Sequence, residues 1–411
     1  LVESTNKKKI FNDPVYGFIS LPYDIILDVI NHPYFQRLRR IKQLGLTDVV
    51  YPGALHTRFH HAVGCTHLMG QAIDTLRTSG NEITEEEAIG VTLAILLHDI
   101  GHGPFSHALE HSIVQGLTHE DISVLFMAEL NKQFNGKLDV AIQIFKNKYP
   151  KRFLHQLVSS QLDMDRLDYL KRDSFYSGVS EGVVSNQRII KMLDVVDDEL
   201  VIHEKGIYSI EKFIVARRLM YWQVYLHKTV ISAEFLLVKI LKRAKYLAKN
   251  GSDLFCSPAF KLFLYNDISK EDFQSKKILE SFTELDDYDV LGAIKVWSNH
   301  ADKVLAELCN MLVNRQLLKV EIQKEEFSKE QIEKHIHLAS KHYAISEEEA
   351  KYFVFNNNIE NNAYNPEMDS INILFKDGSV KDITEASDNL NIQALSMTIK
   401  KYFLCYPSIS G

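Results

Sequence analysis

The chain has 411 residues, of which 45% are hydrophobic and 25% charged, and its formal net charge is −7. This composition is ordinary for a globular protein, and the negative charge disfavours broad non-specific binding to nucleic acid. No apolar run reaches the length of about 18 residues that a membrane span needs. The N-terminal residues lack a signal-peptide core, and the four cysteines form no CxxC pair. We therefore expect a cytoplasmic protein with free thiols, no membrane association and room for two lobes.

The first half of the chain has the periodicity of α-helices. Apolar residues at helical spacing run through residues 21–44, and Pro33 interrupts them, so we predict two short helices or a kink. Thr84 and Glu87 form a capping-box pattern before residues 88–97, which are apolar on every face and predict a central, buried helix. Further helices are predicted at residues 66–76, 118–130, 152–172 and 211–247.

Strand signals are few. They predict hairpins or single strands at residues 200–210, 317–322, 352–355 and 371–383. The last of these has Asp377-Gly378 at its centre, which is a strong signal for a hairpin turn.

The elements together predict a mainly α fold. A helical core with an N-terminal regulatory segment is expected over residues 1–245. A smaller α+β lobe that carries short hairpins is expected over residues 246–411, with a role in oligomerisation or regulation.

The histidines are unevenly distributed. Nine of the 17 lie in one short part of the chain: His56, His60, His61, His67, His98, His102, His107, His111 and His119. His98 and Asp99 end the predicted buried helix, where a carboxylate is costly unless it is paired or binds a metal. The alternative is an aspartate that accepts from a backbone amide, beside histidines satisfied by carbonyl groups. Imidazoles with carboxylates suit Zn, Mn, Fe or Ni, so the metal stays open.

Several segments around this cluster resemble the HD-domain metal-dependent phosphohydrolases. The resemblance is closest to the deoxynucleoside triphosphate triphosphohydrolases related to the SAM-and-HD-domain protein. It rests on "FNDPVYGFI", "FQRLRRIKQLG", "YPGALHTRFHHAVG", "LLHDIGHGPFSHALE", "DMDRLDYLKRD" and "VYLHKT". It covers about residues 9–235, is loose beyond them, and no SAM domain precedes it. It implies that water attacks the α-phosphorus of a dNTP, with dGTP the expected substrate, and releases a deoxynucleoside and triphosphate.

The resemblance also implies a metal site. Its ligands would be His61, His98, Asp99 and Asp165. They would hold one tightly bound divalent transition metal, and Mg²⁺ would accompany the substrate triphosphate.

Three further residues match the catalytic positions of the family. His119 matches the proposed general acid, and His102 and Glu110 match its supporting residues. The family often has Asp where Glu110 stands. Structural support is predicted for His107, and packing or surface positions are predicted for His56, His67 and His111.

The resemblance assigns eight substrate contacts. Arg58, Arg166 and Arg217 match phosphate contacts, although the family usually has Lys where Arg166 stands. The contacts to the sugar are Gln43 and Leu44 beneath it, Tyr169 at sugar and phosphate, Asp173 at the 3′-hydroxyl, and Tyr225 as the wall that excludes a 2′-hydroxyl. The alternative for Tyr225 is a core aromatic residue, and Asp168 is predicted to be a charge on a helix surface.

An allosteric nucleotide site is implied as well. Its residues would be Lys9, Asn12, Asn31, Gln36 and Arg39, at a subunit boundary of a homo-tetramer. Relatives activated by guanine nucleotides have an acidic residue where Asn31 stands. An amide cannot offer the two acceptors of a carboxylate, so dATP is favoured over GTP as the activator. The alternative is a Pro-kinked amphipathic helix with solvated arginines.

Two other functions remain open at this point. One is an HD enzyme of different specificity, such as a nucleotide phosphodiesterase or 5′-nucleotidase. The other is a non-catalytic regulator that senses nucleotides or binds single strands, although nucleic-acid binding is not predicted. The complete set of predicted metal ligands argues against a regulator.

Overall fold

The computed structural model describes residues 9–105, 116–361, 363–366, 369–389, 395 and 397–409. The predicted mainly α class is confirmed. The helices up to residue 249 are α1 (Asp24–Asn31), α2 (Pro33–Gln36), α3 (Arg58–Thr78), α4 (Glu85–Leu97), α5 (His119–Gln133), α6 (Asp139–Phe145), α7 (Arg152–Val158), α8 (Met164–Ser177), α9 (Asn186–Lys191), α10 (Ile207–Met220) and α11 (Lys228–Lys249). The later helices are α12 (Pro258–Tyr265), α13 (Lys276–Thr283), α14 (Asp287–Trp297), α15 (Lys303–Val313), α16 (Lys329–Tyr343), α17 (Glu347–Ala350) and α18 (Ile383–Ala386).

The described strands are short and form three small sheets. They are β1 (Ile10–Asp13), β2 (Gly17–Ser20), β3 (Leu193–Val196), β4 (Glu199–His203), β5 (Lys319–Gln323), β6 (Phe355–Asn361), β7 (Asn372–Leu374), β8 (Val380–Asp382) and β9 (Ile399–Tyr406). The sheets have the strand orders β1-β2, β3-β4-β7-β8 and β5-β9-β6. Strand β7 runs parallel to β4, so it joins the C-terminal part of the chain to the helical core.

The predicted central helix is α4. The Thr84 hydroxyl accepts from the Glu87 amide, and Glu87 accepts from the Thr84 amide, so the capping box is confirmed. Residues 91–97 are fully buried, and α4 packs against α3, α6 and α7. Helix α3 also packs on α8. The start of α3, the end of α4 and the start of α8 therefore lie close together.

Most of the predicted helices are confirmed, with shifted boundaries. Pro33 ends α1 and begins α2, as predicted for residues 21–44. The single helix predicted over residues 152–172 is two helices, because the Asp163 side chain accepts from the Arg166 amide and caps the start of α8. The helix predicted over residues 211–247 is also divided, by a π-helical turn at Tyr221–Tyr225.

One predicted hairpin is wrong. Residues 200–210 contribute only one strand, β4, and a helix begins at Ile207. The partner of β4 is the preceding strand β3, across a two-residue turn at Asp197 and Asp198, which both have positive φ. The hairpin predicted over residues 371–383 is confirmed as β7 and β8. The N-terminal hairpin of β1 and β2 was not predicted.

Two sequence expectations concern thiols and membranes. The four cysteines are free, and Cys65, Cys309 and Cys405 are buried. In the described part of the chain, no helix combines the length and the apolar character that a membrane crossing requires.

Candidate active site

Four side chains that were predicted as metal ligands meet at one point, and we refer to these four as the cluster. His61 lies on α3, His98 and Asp99 follow α4, and Asp165 lies in the first turn of α8. The Nε2 atoms of His61 and His98 are 3.3 Å apart. Asp165 Oδ1 lies 3.1 Å from the first of these atoms and 3.6 Å from the second. The oxygens of Asp99 lie 3.8 Å and 3.4 Å from the same two atoms.

The outer hydrogen bonds of the two imidazoles fix where their protons lie. His61 Nδ1 is 2.8 Å from a carboxylate oxygen of Asp168, and His98 Nδ1 is 2.6 Å from the carbonyl oxygen of Ile95. Both partners are acceptors, so each neutral ring carries its proton on Nδ1 and has a lone pair on Nε2. In this neutral form, two nitrogen lone pairs and two carboxylates converge at one point. Such a set of acceptors fits a divalent cation.

The protonation behaviour of the cluster leads to the same conclusion. Burial disfavours charge at His61, but Cys65 and the hydrogen bonds to Asp165 and Asp168 raise its pKa well above the usual range. Burial also opposes ionisation of Asp165, and the bonds from His61 and His98 nevertheless lower its pKa. The cluster thus has a surplus of negative charge that requires a proton or a cation. Cys65 Sγ lies 3.6 Å from His61 Nε2, and burial raises the pKa of this thiol, which disfavours the thiolate that metals bind.

Asp168 holds His61 in place. The sequence prediction of a surface charge is wrong, because Asp168 is fully buried. Arg172 donates to both of its oxygens, at 2.8 Å and 3.0 Å, and to Asp13 in β1 at 2.7 Å. Burial opposes ionisation, yet Arg172 and the bond from His61 lower the pKa of Asp168 to about 2. A side chain on Gly64 would place its Cβ 2.1 Å from Asp168 and Arg172, so only glycine permits this contact.

Two more predicted catalytic residues adjoin the cluster. His102 Nε2 lies 3.2 Å from Asp99, and the His102 ring stacks on His119 with 3.8 Å between centroids. Burial and the neighbouring Arg58 hold the pKa of His102 well below its usual value, so the ring is neutral. His119 Nε2 lies 3.1 Å from Glu120, a residue that the sequence did not single out. The bond from His119 lowers the pKa of Glu120 to about 2. Glu110, His107 and His111 lie outside the described residues.

A cavity of about 280 Å³ opens beside these groups. We call it the substrate cavity, and its lining residues are Lys42, Gln43, Leu44, Gly45, Leu46, Thr47, Arg58, Phe105, Tyr221, Tyr225, Leu226, Glu234 and Leu237. It brings together four of the predicted substrate contacts, on the segment before α3, on α3 and before α11. Arg58 joins it to the cluster, because its Nη1 donates to Asp99 at 2.5 Å.

Asp173 lies near the substrate cavity and is held from two sides. Tyr225 donates to Oδ2 at 2.7 Å, and His56 Nε2 lies 2.8 Å from Oδ1. The Tyr225 side chain is therefore more than a packed core ring. The packing role predicted for His56 is only part of what the structure shows. This residue is buried, stacks on Tyr176 and binds the Asp173 carboxylate.

The remaining predicted phosphate contacts surround Tyr169. Burial, with a smaller contribution from Tyr221, raises the pKa of its hydroxyl, although Arg217 and Arg166 act in the opposite direction. Arg217 donates to Gln161 at 3.0 Å, and Arg166 binds the neighbouring Asp163. Tyr169 packs edge-on against Tyr225 at 6.2 Å.

The sequence missed a carboxylate from the C-terminal part of the chain. Asp287, at the start of α14, accepts from the backbone amides of Lys42 and Phe105, which both line the substrate cavity. Burial raises its pKa to about 6. The preceding Asp286 pairs with Arg40. Nothing in the local sequence indicates these contacts, because they join residues more than 180 positions apart.

The five predicted activator contacts lie at or near the surface of the described chain. Lys9, Asn12, Asn31 and Arg39 are exposed, and Gln36 is half-buried. Gln36 accepts from Arg39 at 2.9 Å, and the Arg39 guanidinium lies 3.5 Å from the centre of the Phe59 ring.

Comparison with known proteins gives two family matches. An HD domain matches residues 58–173, and an HD associated region matches residues 184–251. The chain is 37% identical to the uncharacterized protein YwfO of Bacillus subtilis, over 76% of this chain and 71% of that protein. It is 35% identical to the deoxynucleoside triphosphate triphosphohydrolase SAMHD1 homolog of Dictyostelium discoideum, over 61% of this chain and 52% of that protein. The chain thus spans about half the length of the latter protein.

One crystal structure is similar over almost the entire chain. It is a phosphohydrolase from Bacteroides thetaiotaomicron, with a TM-score of 0.94 and 57% identity. The match covers 97% of this chain and 100% of that one.

Proposed function

The chain belongs to the HD-domain phosphohydrolase family, and from this premise we propose that it hydrolyses a dNTP to a deoxynucleoside and triphosphate. The observation that carries the proposal is the convergence of four groups, two imidazoles and two carboxylates, whose imidazole Nε2 atoms are free to bind a cation once the rings are neutral. His61, His98, Asp99 and Asp165 would hold a divalent transition metal, and Mg²⁺ would accompany the triphosphate. When bound, the metal supplies Lewis-acid chemistry for attack of water at phosphorus.

The protein groups around the cluster suit a triphosphate. Arg58 binds Asp99 and also faces the substrate cavity, so it would place a fixed positive charge where the α-phosphate lies. Arg166 and Arg217, beside Tyr169, would contact the other phosphates. Fixed cations are worth more in such a partly buried site than in water because they need no reorganisation during the reaction.

His119 would supply the proton that the leaving 5′-oxygen needs. It is only partly exposed, and its imidazole ring stacks on His102. Because His102 is neutral, it does not repel the protonated form of its neighbour. An imidazole suits proton transfer near neutral pH.

The sugar would lie between Leu44 and Tyr225. Asp173 would accept from the 3′-hydroxyl, since a carboxylate has about four acceptor sites and His56 and Tyr225 occupy two. The Tyr225 ring would occupy the space of a 2′-hydroxyl, which favours deoxynucleotides. This proposal also includes a homo-tetramer activated by a nucleotide, with dATP favoured over GTP.

Product analysis tests the proposed reaction. Metal-loaded protein is incubated with each dNTP, singly and in mixtures, and the products are separated by chromatography. Intact triphosphate with the deoxynucleoside is the expected result. Orthophosphate or pyrophosphate would instead indicate a nucleotidase or phosphodiesterase, and binding without turnover would indicate a regulator.

A further inference from the structure

The substrate cavity contains a carboxylate that the proposed reaction does not use. Glu234 lies on α11, one turn before Leu237, and its side chain is half-buried in the cavity lining. Its Oε1 atom lies 3.5 Å from the position that a Cβ on Gly45 would take. The carboxylate therefore lies beside the segment of Gln43 and Leu44, which the proposed function places next to the sugar.

The charge of Glu234 is unmatched. Within the described part of the chain, no group donates a hydrogen bond to it, and burial alone raises its pKa to about 7. The two cations that line the cavity are engaged elsewhere. Lys42 Nζ binds Asp48 at 2.9 Å, and Arg58 Nη1 binds Asp99 at 2.5 Å. In its ionised form Glu234 thus presents carboxylate oxygens to the cavity, and a ligand with matching donors would bind there and favour that form.

We propose that Glu234 reads the base of the substrate and selects guanine. The inference rests on the proposed function, because that function places a deoxynucleoside in this cavity. Among the four DNA bases, guanine alone presents two adjacent donors, N1–H and the 2-amino group, on its pairing edge. Adenine and cytosine present one donor beside an acceptor, and thymine presents one donor between two acceptors. A carboxylate accepts at both oxygens, so it pairs with guanine and repels the acceptors of the other bases.

The arrangement of α11 allows the sugar and the base to bind side by side along the helix axis. Tyr225 lies just before the helix, and Glu234 lies about 9 Å along its axis from Lys228. The cavity volume of about 280 Å³ is close to the lower end of small-ligand sites, roughly 300 Å³. Tyr225 and Glu234 line the same cavity, so a deoxynucleoside with its sugar at Tyr225 would have its base near the Glu234 carboxylate.

The test compares nucleosides that differ by single donors. Deoxyguanosine, deoxyinosine, which lacks the 2-amino group, and thymidine are titrated calorimetrically into metal-loaded wild-type protein, Glu234→Gln and Glu234→Asp. In the wild type we expect deoxyguanosine to bind about ten- to a hundredfold more tightly than either other nucleoside. Glu234→Gln should lose this preference, because its NH₂ group opposes a guanine donor. Glu234→Asp keeps the carboxylate and should retain part of the preference.

Controls separate a change in base recognition from a change in folding. Glu284→Gln removes an exposed carboxylate elsewhere and should discriminate like the wild type. Melting temperature and metal content identify any variant that misfolds. If Glu234→Gln misfolds, the nucleoside affinities of Glu234→Asp decide the test. Equal wild-type affinities, or full discrimination in Glu234→Gln, would overturn the inference. Failure of the proposed function is a separate result, because no dNTP would then yield triphosphate, whatever the nucleoside affinities.

Discussion

At the scale of single residues, the site depends on where protons are held. Asp168 and the Ile95 carbonyl oxygen take the Nδ1 protons of His61 and His98, and they leave both Nε2 lone pairs directed at one point. A hydrogen-bond partner on the far side of a histidine sets which nitrogen can bind a metal. Arg172 fixes Asp168 in turn, so the ligand geometry is determined by buried residues behind the cluster.

The first prediction concerns the metal ligands. His98→Ala or Asp165→Asn should abolish turnover and deplete bound metal, because each removes one of four converging acceptors. Elemental analysis of the purified proteins, together with triphosphate release, measures both effects. His67→Gln, on the same helix α3 as His61 but outside the cluster, serves as the control and should retain both. A stoichiometric metal in both ligand variants would disprove the assignment.

The second prediction concerns proton transfer. His119→Ala should keep its metal and bind dNTP, but its rate should fall by about 10²–10⁴-fold, as expected for loss of a general acid. Glu120→Gln should cost less than about tenfold, because Glu120 is more than half exposed and its interaction is screened by water. Single-turnover rates with dGTP measure both. A His119→Ala rate within threefold of the wild type would remove this residue from the mechanism.

At the scale of elements, helix α4 sets the positions of the other parts of the site. Its N-terminus is capped by Thr84, and its C-terminus delivers His98 and Asp99. Glu87 in the first turn is almost fully buried and accepts from Tyr149 at 3.0 Å and from Lys151 at 2.8 Å. These bonds attach α4 to the chain that leads into α7. Gly101 then allows α5 to approach, since a Cβ there would lie 2.1 Å from the His119 carbonyl oxygen.

The third prediction concerns this anchoring of α4. Glu87→Gln should lower the free energy of unfolding at pH 7 by about 1.5–3 kcal/mol, the range for hydrogen bonds to charged groups. Burial raises the pKa of Glu87, but the bonds from Lys151, Thr84 and Tyr149 outweigh it and lower the pKa overall. A carboxyl group with a depressed pKa stabilises the fold above its unfolded pKa of about 4.3, and this stabilisation is lost as the pH falls through the folded pKa.

Urea unfolding at pH 7 and pH 3 measures this effect. The difference between Glu87→Gln and the wild type should shrink at the lower pH. Glu86→Gln is the matched control, because it changes the same helical turn at an exposed position. A difference that is independent of pH would show that the charge of Glu87 is not what anchors the helix.

At the scale of the whole molecule, contacts across the chain connect its parts to the site. Arg172 joins the N-terminal hairpin to Asp168, and Asp287 joins α14 to two segments of the substrate cavity. The ring of Phe59 contacts both Phe11 of β1 and the Arg39 guanidinium. The exposed surface that carries the predicted activator contacts is thus packed against α3, which bears Arg58 and His61. In the proposed tetramer, a second subunit would enclose the activating nucleotide at this surface.

The fourth prediction concerns activation. Hydrolysis of dGTP is measured with GTP or dATP added, for the wild type and Asn31→Asp, and light scattering after gel filtration gives the oligomeric state. We expect dATP to activate the wild type and to promote a tetramer. Asn31→Asp should shift activation toward GTP, because a carboxylate offers two acceptors to the guanine donors.

A charge control accompanies this experiment. Asn299→Asp adds the same charge at another exposed position and should be activated like the wild type. Activation of the wild type by GTP alone, unchanged in Asn31→Asp, would show that Asn31 does not read the activator base.

The sequence by itself determined the helical class, the Pro33 break and the capping box at Thr84, and its resemblance to a known family pointed to the four residues that converge in the cluster. These signals are local, because they are carried by the spacing of apolar residues, by turn chemistry and by short motifs. Only the tertiary structure decided where Asp168, His56, Asp287 and Glu234 lie and which groups they contact. Asp168 and Arg172 at i, i+4 have the pattern of a surface ion pair, and only the packing of α3 on α8 buries them. The strand β4 was predicted, but its partner was not, because alternation of apolar residues marks a strand without specifying what pairs with it. Burial and charge pairing between residues distant in the chain leave no periodic pattern in the sequence, so the contacts of these side chains were decided by packing.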